Sequence, residues 1–167
     1  MEGFEVLADI SSNVLTPEKT LDYVSRIEGL VETYHPNGKL KRRASYVYGH
    51  IDGMIQDCYE DGTRFRETHM QDGQLEGSMC VWHTNGQLAI RCWYTKNQQD
   101  GLYESWYPSG TRRFSGKWVN GKAEGIHIEW HTNSVLKSQT VWEGGSKIGV
   151  SMYWNPSGML IAKHTCK

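Results

Sequence analysis

The chain has 167 residues, 22% of them charged, with a formal net charge of −1. That length suits one domain, and so even a balance of charge sets up no strong field for nucleic acid or an anionic membrane. An apolar content of 38% fits a thin repeat sheet better than a thick globular core, and no apolar run is long enough to span a bilayer.

Residues 1–27 stand outside the pattern of the rest. Met1-Glu2-Gly3-Phe4-Glu5 has neither the basic start nor the apolar stretch of a secretory signal, so an intracellular protein is expected, cytoplasmic or, if viral, in the virion. Thr16-Pro17-Glu18 has the chemistry of a helix start, with threonine as the cap and proline in the first turn. Leu21, Val24 and Ile27 follow at helical spacing. The pattern predicts a short helix over 17–26 that covers the free edge of the first repeat.

Residues 28–167 repeat with a period of 24. Gly29, Gly53, Gly77, Gly101, Gly125 and Gly149 open the six units. Gly38, Gly62, Gly86, Gly110 and Gly158 follow nine residues later, with Ser134 as the exception. An acid precedes the opening glycine as Glu28, Asp52, Glu76, Asp100 and Glu124. Over this runs an aromatic ladder with half the period: Tyr34, Tyr46, Trp82, Tyr94, Trp106, Trp118, Trp130, Trp142 and Trp154, with Cys58, Met70 and Cys166 on the remaining rungs. A fixed period of this length means one small unit stacked on itself.

Each unit reads as a β-hairpin. Pro36-Asn37-Gly38, Pro108-Ser109-Gly110 and Pro156-Ser157-Gly158 suit a three-residue loop, with proline at the start of a type I turn and glycine at the position that needs positive φ. Three-residue loops at both ends of the unit, or one bulge at the leading glycine, would put every twelfth residue on the same face. The expected fold is therefore all-β: an elongated, twisted, single-layer antiparallel sheet of six 24-residue hairpins, with the short N-terminal helix as its cap. On that register one face is apolar, carrying the whole ladder with Leu40, Leu88, Leu136 and Leu160, and Leu30, Met54, Leu102, Ile126 and Val150. The other face is solvated and carries Asp57, Ser105, Glu129, Arg43, Glu67, Arg91 and Gln139.

Single residue types with chemical potential are absorbed by the repeat. His35, His83 and His131 alternate with Tyr59 and Tyr107 at one repeat position, which marks a structural ring beside the turn. His127 and His131 stand four apart, about 13 Å on a strand, too far to share a metal. Cys58, Cys80, Cys92 and Cys166 lack metal spacing and read as small thiols in a reducing compartment, the first three facing the apolar side. Leu40-Lys41-Arg42-Arg43 is the one basic run; as a strand it splits, with Lys41 and Arg43 on the solvated face and Arg42 opposite. No phosphate loop, nucleophile elbow or catalytic triad stands out, so neither an enzyme nor a cofactor is expected.

The unit Gly-x-x-x-x-Trp-[His/Tyr]-x-[Asn/Ser]-Gly-x-Leu, followed by an aromatic residue and Asn-Gly, resembles the MORN repeat in its variant form, best over Gly101–Gly110 with Trp118 and Asn120-Gly121. The resemblance covers about 28–167. It implies a non-catalytic scaffold that binds another protein, including a partner helix in the aromatic groove, or binds phospholipid. Variant repeats of this kind also occur in bacterial proteins assigned to toxin–antitoxin pairs and in proteins of large DNA viruses, so an antitoxin-like role is a further expectation. The binding residues expected are Trp82, Tyr94, Trp106, Trp118, Trp130, Trp142 and Trp154, because a single layer leaves such an apolar face uncovered. The expected partner is a protein, bound in the aromatic groove, where an amphipathic helix would lie, or at the free sheet edge, with membrane lipid as the alternative, no nucleic acid, and self-association through the C-terminal sheet edge as a further expectation.

Overall fold

The computed structural model describes residues 27–166, and among these all regular structure is β. The helix expected over 17–26 lies outside the described residues. The strands are β1 (Gly29–Tyr34), β2 (Leu40–Val47), β3 (His50–Cys58), β4 (Arg64–Gln71), β5 (Gln74–Trp82), β6 (Leu88–Thr95), β7 (Gln98–Gln99), β8 (Gly101–Trp106), β9 (Arg112–Val119), β10 (Lys122–Trp130), β11 (Leu136–Glu143), β12 (Ser146–Trp154) and β13 (Leu160–Cys166). They form one open antiparallel sheet in chain order, with β7 as a short piece paired to β6. Every neighbour in space is a neighbour in sequence, as expected for stacked hairpins.

The two kinds of turn differ. At the first, His35 N–H donates to the Lys39 carbonyl at 2.8 Å and Gly38 N–H to the His35 carbonyl at 2.9 Å. This is the three-residue loop read from Pro36-Asn37-Gly38, and the same pair of bonds recurs around Gly62, Gly86, Gly110, Ser134 and Gly158. Ser134 adopts φ 66°, so it takes the left-handed position without being glycine. The second turn is shorter. Val47 pairs with His50, leaving only Tyr48 and Gly49, both with positive φ (46° and 77°). That is the two-residue type I′ hairpin whose twist matches that of the strands. Asp72-Gly73, Lys96-Asn97, Asn120-Gly121 and Gly144-Gly145 repeat it.

Two bulges complete the unit. Beside the first turn Tyr34 pairs with Leu40 but Thr33 with Arg42, so Lys41 is an extra residue on β2. At the leading glycine, Tyr46 pairs with Ile51 and Ala44 with Ile55, which sets Asp52-Gly53-Met54 against Ser45. Gly53 takes φ 102° there.

These details overturn the single-faced ladder. The bulge beside the first turn reverses the face of the strand that follows, and the two-residue second turn reverses it again. Consecutive rungs therefore lie on opposite faces, and only every second rung shares a face. Tyr46, Met70, Tyr94, Trp118, Trp142 and Cys166 lie on one side. Tyr34, Cys58, Trp82, Trp106, Trp130 and Trp154 lie on the other. Within the second set the pairing of Tyr34, Trp82, Trp130 and Trp154 with Leu40, Leu88, Leu136 and Leu160 is as expected.

The division into an apolar and a solvated face is likewise corrected. One face is sheltered: Ala44, Ile55, Asp57, Thr68, Cys92, Ser105, His127, Ser138, Thr140 and Ser151 are all buried on it. The other is open and carries Arg43, Glu67, Arg91 and Gln139 beside exposed Leu30, Met54, Leu102 and Ile126. A single layer can shelter one face because of the row that crosses its middle. Val31, Ile55, Met79, Tyr103 and His127 come from the first strands of their hairpins. Ala44, Thr68, Cys92, Gly116 and Thr140 face them from the second. Large side chains lie over small ones, and packing is gained without a second sheet.

Gly116 is the sharpest case. A methyl group there would stand 2.7 Å from two ring carbons of His127. Gly116→Ala should destabilise the protein by about 1–3 kcal/mol in urea denaturation; an unchanged midpoint would mean the imidazole moves aside freely. Ser134→Gly should raise stability by up to about 1 kcal/mol by removing a side chain from a left-handed position. A lower melting temperature would contradict that account of the fifth loop.

Candidate functional site

The seven aromatic residues expected to form one binding surface divide between the faces. Tyr94, Trp118 and Trp142 are sheltered; Trp82, Trp106, Trp130 and Trp154 are on the open face. Trp106, Trp118 and Trp130 line one hollow, Trp142 lines a second, and Trp82, Tyr94 and Trp154 line neither.

The sheltered face holds a chain of stacked rings. Tyr103 meets Trp118 edge-on at 5.5 Å between centroids, and Trp118 meets His127 at 4.5 Å. His127 reaches Phe114 and Trp142, each at 5.5 Å. Its Nε2 donates to the Lys117 carbonyl at 2.9 Å, which fixes the ring in place. Such edge-on and tilted pairs add about 0.5–1.5 kcal/mol each beyond their burial. Beside them lies a hollow of about 390 Å³ containing Tyr103, Phe114 and Trp118 together with Gln99, Arg113 and Glu129. Burial pushes the Tyr94 and Tyr103 phenols above their ordinary range.

The open face is organised by arginine. The Arg91 guanidinium lies 5.8 Å from the Trp106 ring and Arg112 lies 5.7 Å from Trp130. Both hold Glu104, at 2.6 and 3.1 Å, and bury it. Arg64 stacks on Trp82 at 4.9 Å and pairs with Glu67. Trp82, Trp106 and Trp130 are thus partly roofed by cations, an arrangement favoured by the negative ring face. Between these clusters and the second turns, Leu30, Met54, Leu102 and Ile126 remain exposed at one repeat position, by 61, 43, 41 and 55% respectively. Ser78 interrupts the row in the third repeat.

The two arginines of the basic run are spent in ion pairs, and the run is placed differently from its expectation. Lys41 is the bulge residue, Arg42 lies on the sheltered face, and Arg43 lies on the open one. Arg42 and Arg66 both bind Asp57, at 2.6 and 2.7 Å, and Arg43 binds Glu32 at 2.6 Å. Burial alone would raise the Asp57 carboxyl, but the hydrogen bonds from the two guanidinium groups outweigh it and leave it below the usual range.

The histidine and tyrosine series is structural, as its period implied. His35, His83 and His131 Nε2 donate to the carbonyls of Cys58, Trp106 and Trp154, and the Tyr59 and Tyr107 hydroxyls donate to those of Trp82 and Trp130. Each ring thus binds its hairpin to the next. The recurring acid has a role that the sequence left unassigned. Glu28, Asp52, Glu76 and Glu124 accept from the first N–H of the nearby type I′ turn, in Tyr48, Asp72, Lys96 and Gly144. The fixed spacing of acid and turn glycine was the available signal. Among the described residues no three His, Cys, Asp or Glu side chains converge as a metal set, and no helix is long and apolar enough to cross a membrane.

The four cysteines are free thiols, and they do not share the side expected of three of them: Cys58 and Cys80 lie on the open face, Cys92 on the sheltered one. Burial pushes the Cys92 thiol up to about 11. A group whose pKa is raised by folding contributes stability below its unfolded value, about 8.5, and loses it as pH climbs toward the folded value. Stability of the native chain should therefore fall more steeply between about pH 8.5 and pH 11 than that of Cys92→Ala. A thiol reagent at about pH 8 should modify Cys92 only on unfolding; parallel pH profiles, or rapid native labelling of Cys92, would contradict its burial.

The geometry is that of an open-sheet protein built from β-hairpin repeats. Residues 27–48, which span the first hairpin and enter the type I′ turn, match the family model described as the MORN repeat variant, and the chain is consistent with a MORN-repeat protein. MORN repeats suggest a repeat scaffold, often one that binds membranes or proteins, and the family is generally non-catalytic. No curated protein matches the chain.

Proposed function

We propose that this protein is a non-catalytic scaffold that holds a partner protein across its open face, and that the partner presents an amphipathic helix. The observation that carries this reading is the exposed row of Leu30, Met54, Leu102 and Ile126. Equivalent residues of successive hairpins are two strands apart, about 10 Å. Seven residues of α-helix advance about 10.5 Å. A helix lying across the strands would thus set one apolar residue per heptad over each hairpin, with its stripe on this row. Trp82, Trp106, Trp130 and Trp154 flank the row and supply the aromatic anchors favoured at interfaces. Tyr94, Trp118 and Trp142 drop out of this surface because the register places them on the sheltered face. The arginines of the open face are engaged with carboxylates and rings, which favours a protein partner over a lipid headgroup.

The test is a pull-down with the whole chain and a double variant, Leu102→Lys with Ile126→Lys, whose fold is checked by circular dichroism. These side chains are already exposed, so the variant should fold and lose the partner. A partner retained by the folded double variant, or lost equally on Trp142→Leu at the sheltered face, would overturn the assignment to the open face.

A further inference from the structure

The hollow on the sheltered face coincides with a cluster of departures from the repeat pattern. The bulge residue beside the first turn is Lys41, Phe65, Arg113, Lys137 and Ile161 in five repeats, but Ala89 in the third. Ala89 lines the hollow, so the space stands where a sibling repeat would place a long side chain. At another position the repeats carry Ile27, Ile51, Leu75 and Ala123, whereas the fourth carries Gln99 and the sixth Lys147. Gln99 also lines the hollow, and its Nε2 is buried without an acceptor. A buried donor left unpaired is costly, and an acceptor supplied by a ligand would remove that cost. The fourth repeat is also the one whose first strand is broken, into β7 and β8.

The remaining lining defines what would fit. Tyr103, Phe114 and Trp118 form an aromatic wall. Arg113 lies 5.9 Å from the Tyr107 ring and has no acidic partner among the described residues. Lys137 at the rim is already neutralised by Glu129 at 3.1 Å. One free guanidinium, one free amide donor and three ring faces surround about 390 Å³, which is the size of a small-molecule site. We propose that this hollow binds a planar aromatic group bearing a carboxylate. The ring stacks against Trp118 and Phe114, the carboxylate accepts from Arg113, and an oxygen of the ligand accepts from Gln99 after a turn of its terminal amide. Trp106 and Trp130 also border this hollow, but the site is built from Ala89, Gln99, Arg113 and the sheltered rings and does not depend on the open-face row.

The chemistry could come from a free aromatic acid or from an aromatic–acidic segment of a peptide. The probes are therefore N-acetyl-tryptophan, its neutral amide, and a blocked Trp-Asp dipeptide, titrated into the full chain by two-dimensional amide NMR. Carboxylate-bearing probes should shift amides around Tyr103, Phe114 and Trp118 and bind about tenfold more tightly than the neutral amide, in keeping with a charge-assisted contact. Preference between the free acid and the dipeptide tells which source the site suits. Two variants borrow residues from sibling repeats so that the hairpin keeps a side chain its fold already accepts. Ala89→Phe, after Phe65, should fill the hollow and abolish binding. Gln99→Leu, after Leu75, should weaken it. Arg113→Gln should reduce the acids to the affinity of the neutral amide. Absence of any saturable shift, or shifts unchanged by Ala89→Phe in a folded protein, would overturn the proposal.

Discussion

The structure depends on one packing constraint, the placing of a small side chain opposite a large one along the middle of a single sheet. A lone β-layer has nothing to press its inner side chains against. Here the sheet supplies its own cover: Tyr103 lies across Gly116, and His127 occupies space that a methyl group at Gly116 would deny it. Cys92 and Ser151 are almost completely buried although the described residues form a single layer. Backbone pairing alone would leave both faces wet; the alternation of sizes makes one of them an interior.

Around that interior the polar groups act mainly as connectors. The acids Glu28, Asp52, Glu76 and Glu124 each satisfy an N–H of a tight turn, and the rings after the first-strand rungs satisfy a carbonyl of the next hairpin. Asp57 and Glu104 each bind two arginines that stand on different strands. These groups are numerous and could be taken for reactive chemistry, but nearly all are committed to holding neighbouring units in register. Gln99 is an exception, as are the buried hydroxyls of Thr68 and Ser151, and Arg113 lacks an acidic partner among the described residues.

Much of the fold was legible in the sequence because glycine positions report backbone conformation directly. The period, the hairpins, the first-turn loops with Ser134 in a glycine-like role, and the leucine partners of Trp82, Trp130 and Trp154 all follow from spacing. The faces did not follow. Asn120-Gly121 and Gln71-Asp72-Gly73 are compatible with loops of two or three residues, and a difference of one residue moves every later side chain across the sheet. Lys41 and its equivalents carry no mark of a bulge, since any residue can occupy it. The binding surface read from the ladder was therefore divided. Spacing alone puts Leu30, Met54, Leu102 and Ile126 on one face with the whole ladder; the register keeps them with Trp82, Trp106, Trp130 and Trp154 and parts them from Tyr94, Trp118 and Trp142. Small residues recurring at Ala44, Thr68, Cys92 and Gly116 were the unused signal for the sheltered face.

The bridges between hairpins are of two unequal kinds. Where the ring is histidine, the loop asparagine two residues later also reaches across: Asn37, Asn85 and Asn133 donate to the carbonyls of Glu60, Pro108 and Pro156. Where the ring is tyrosine, the equivalent Asp61 and Ser109 turn back to Thr63 and Thr111 within their own loop. Doubly and singly fastened seams therefore alternate along the molecule. Pulled from its ends, such a ribbon would part first at the seams after Tyr59 and Tyr107, coming away as couples of hairpins, so that its mechanical unit is twice its sequence repeat.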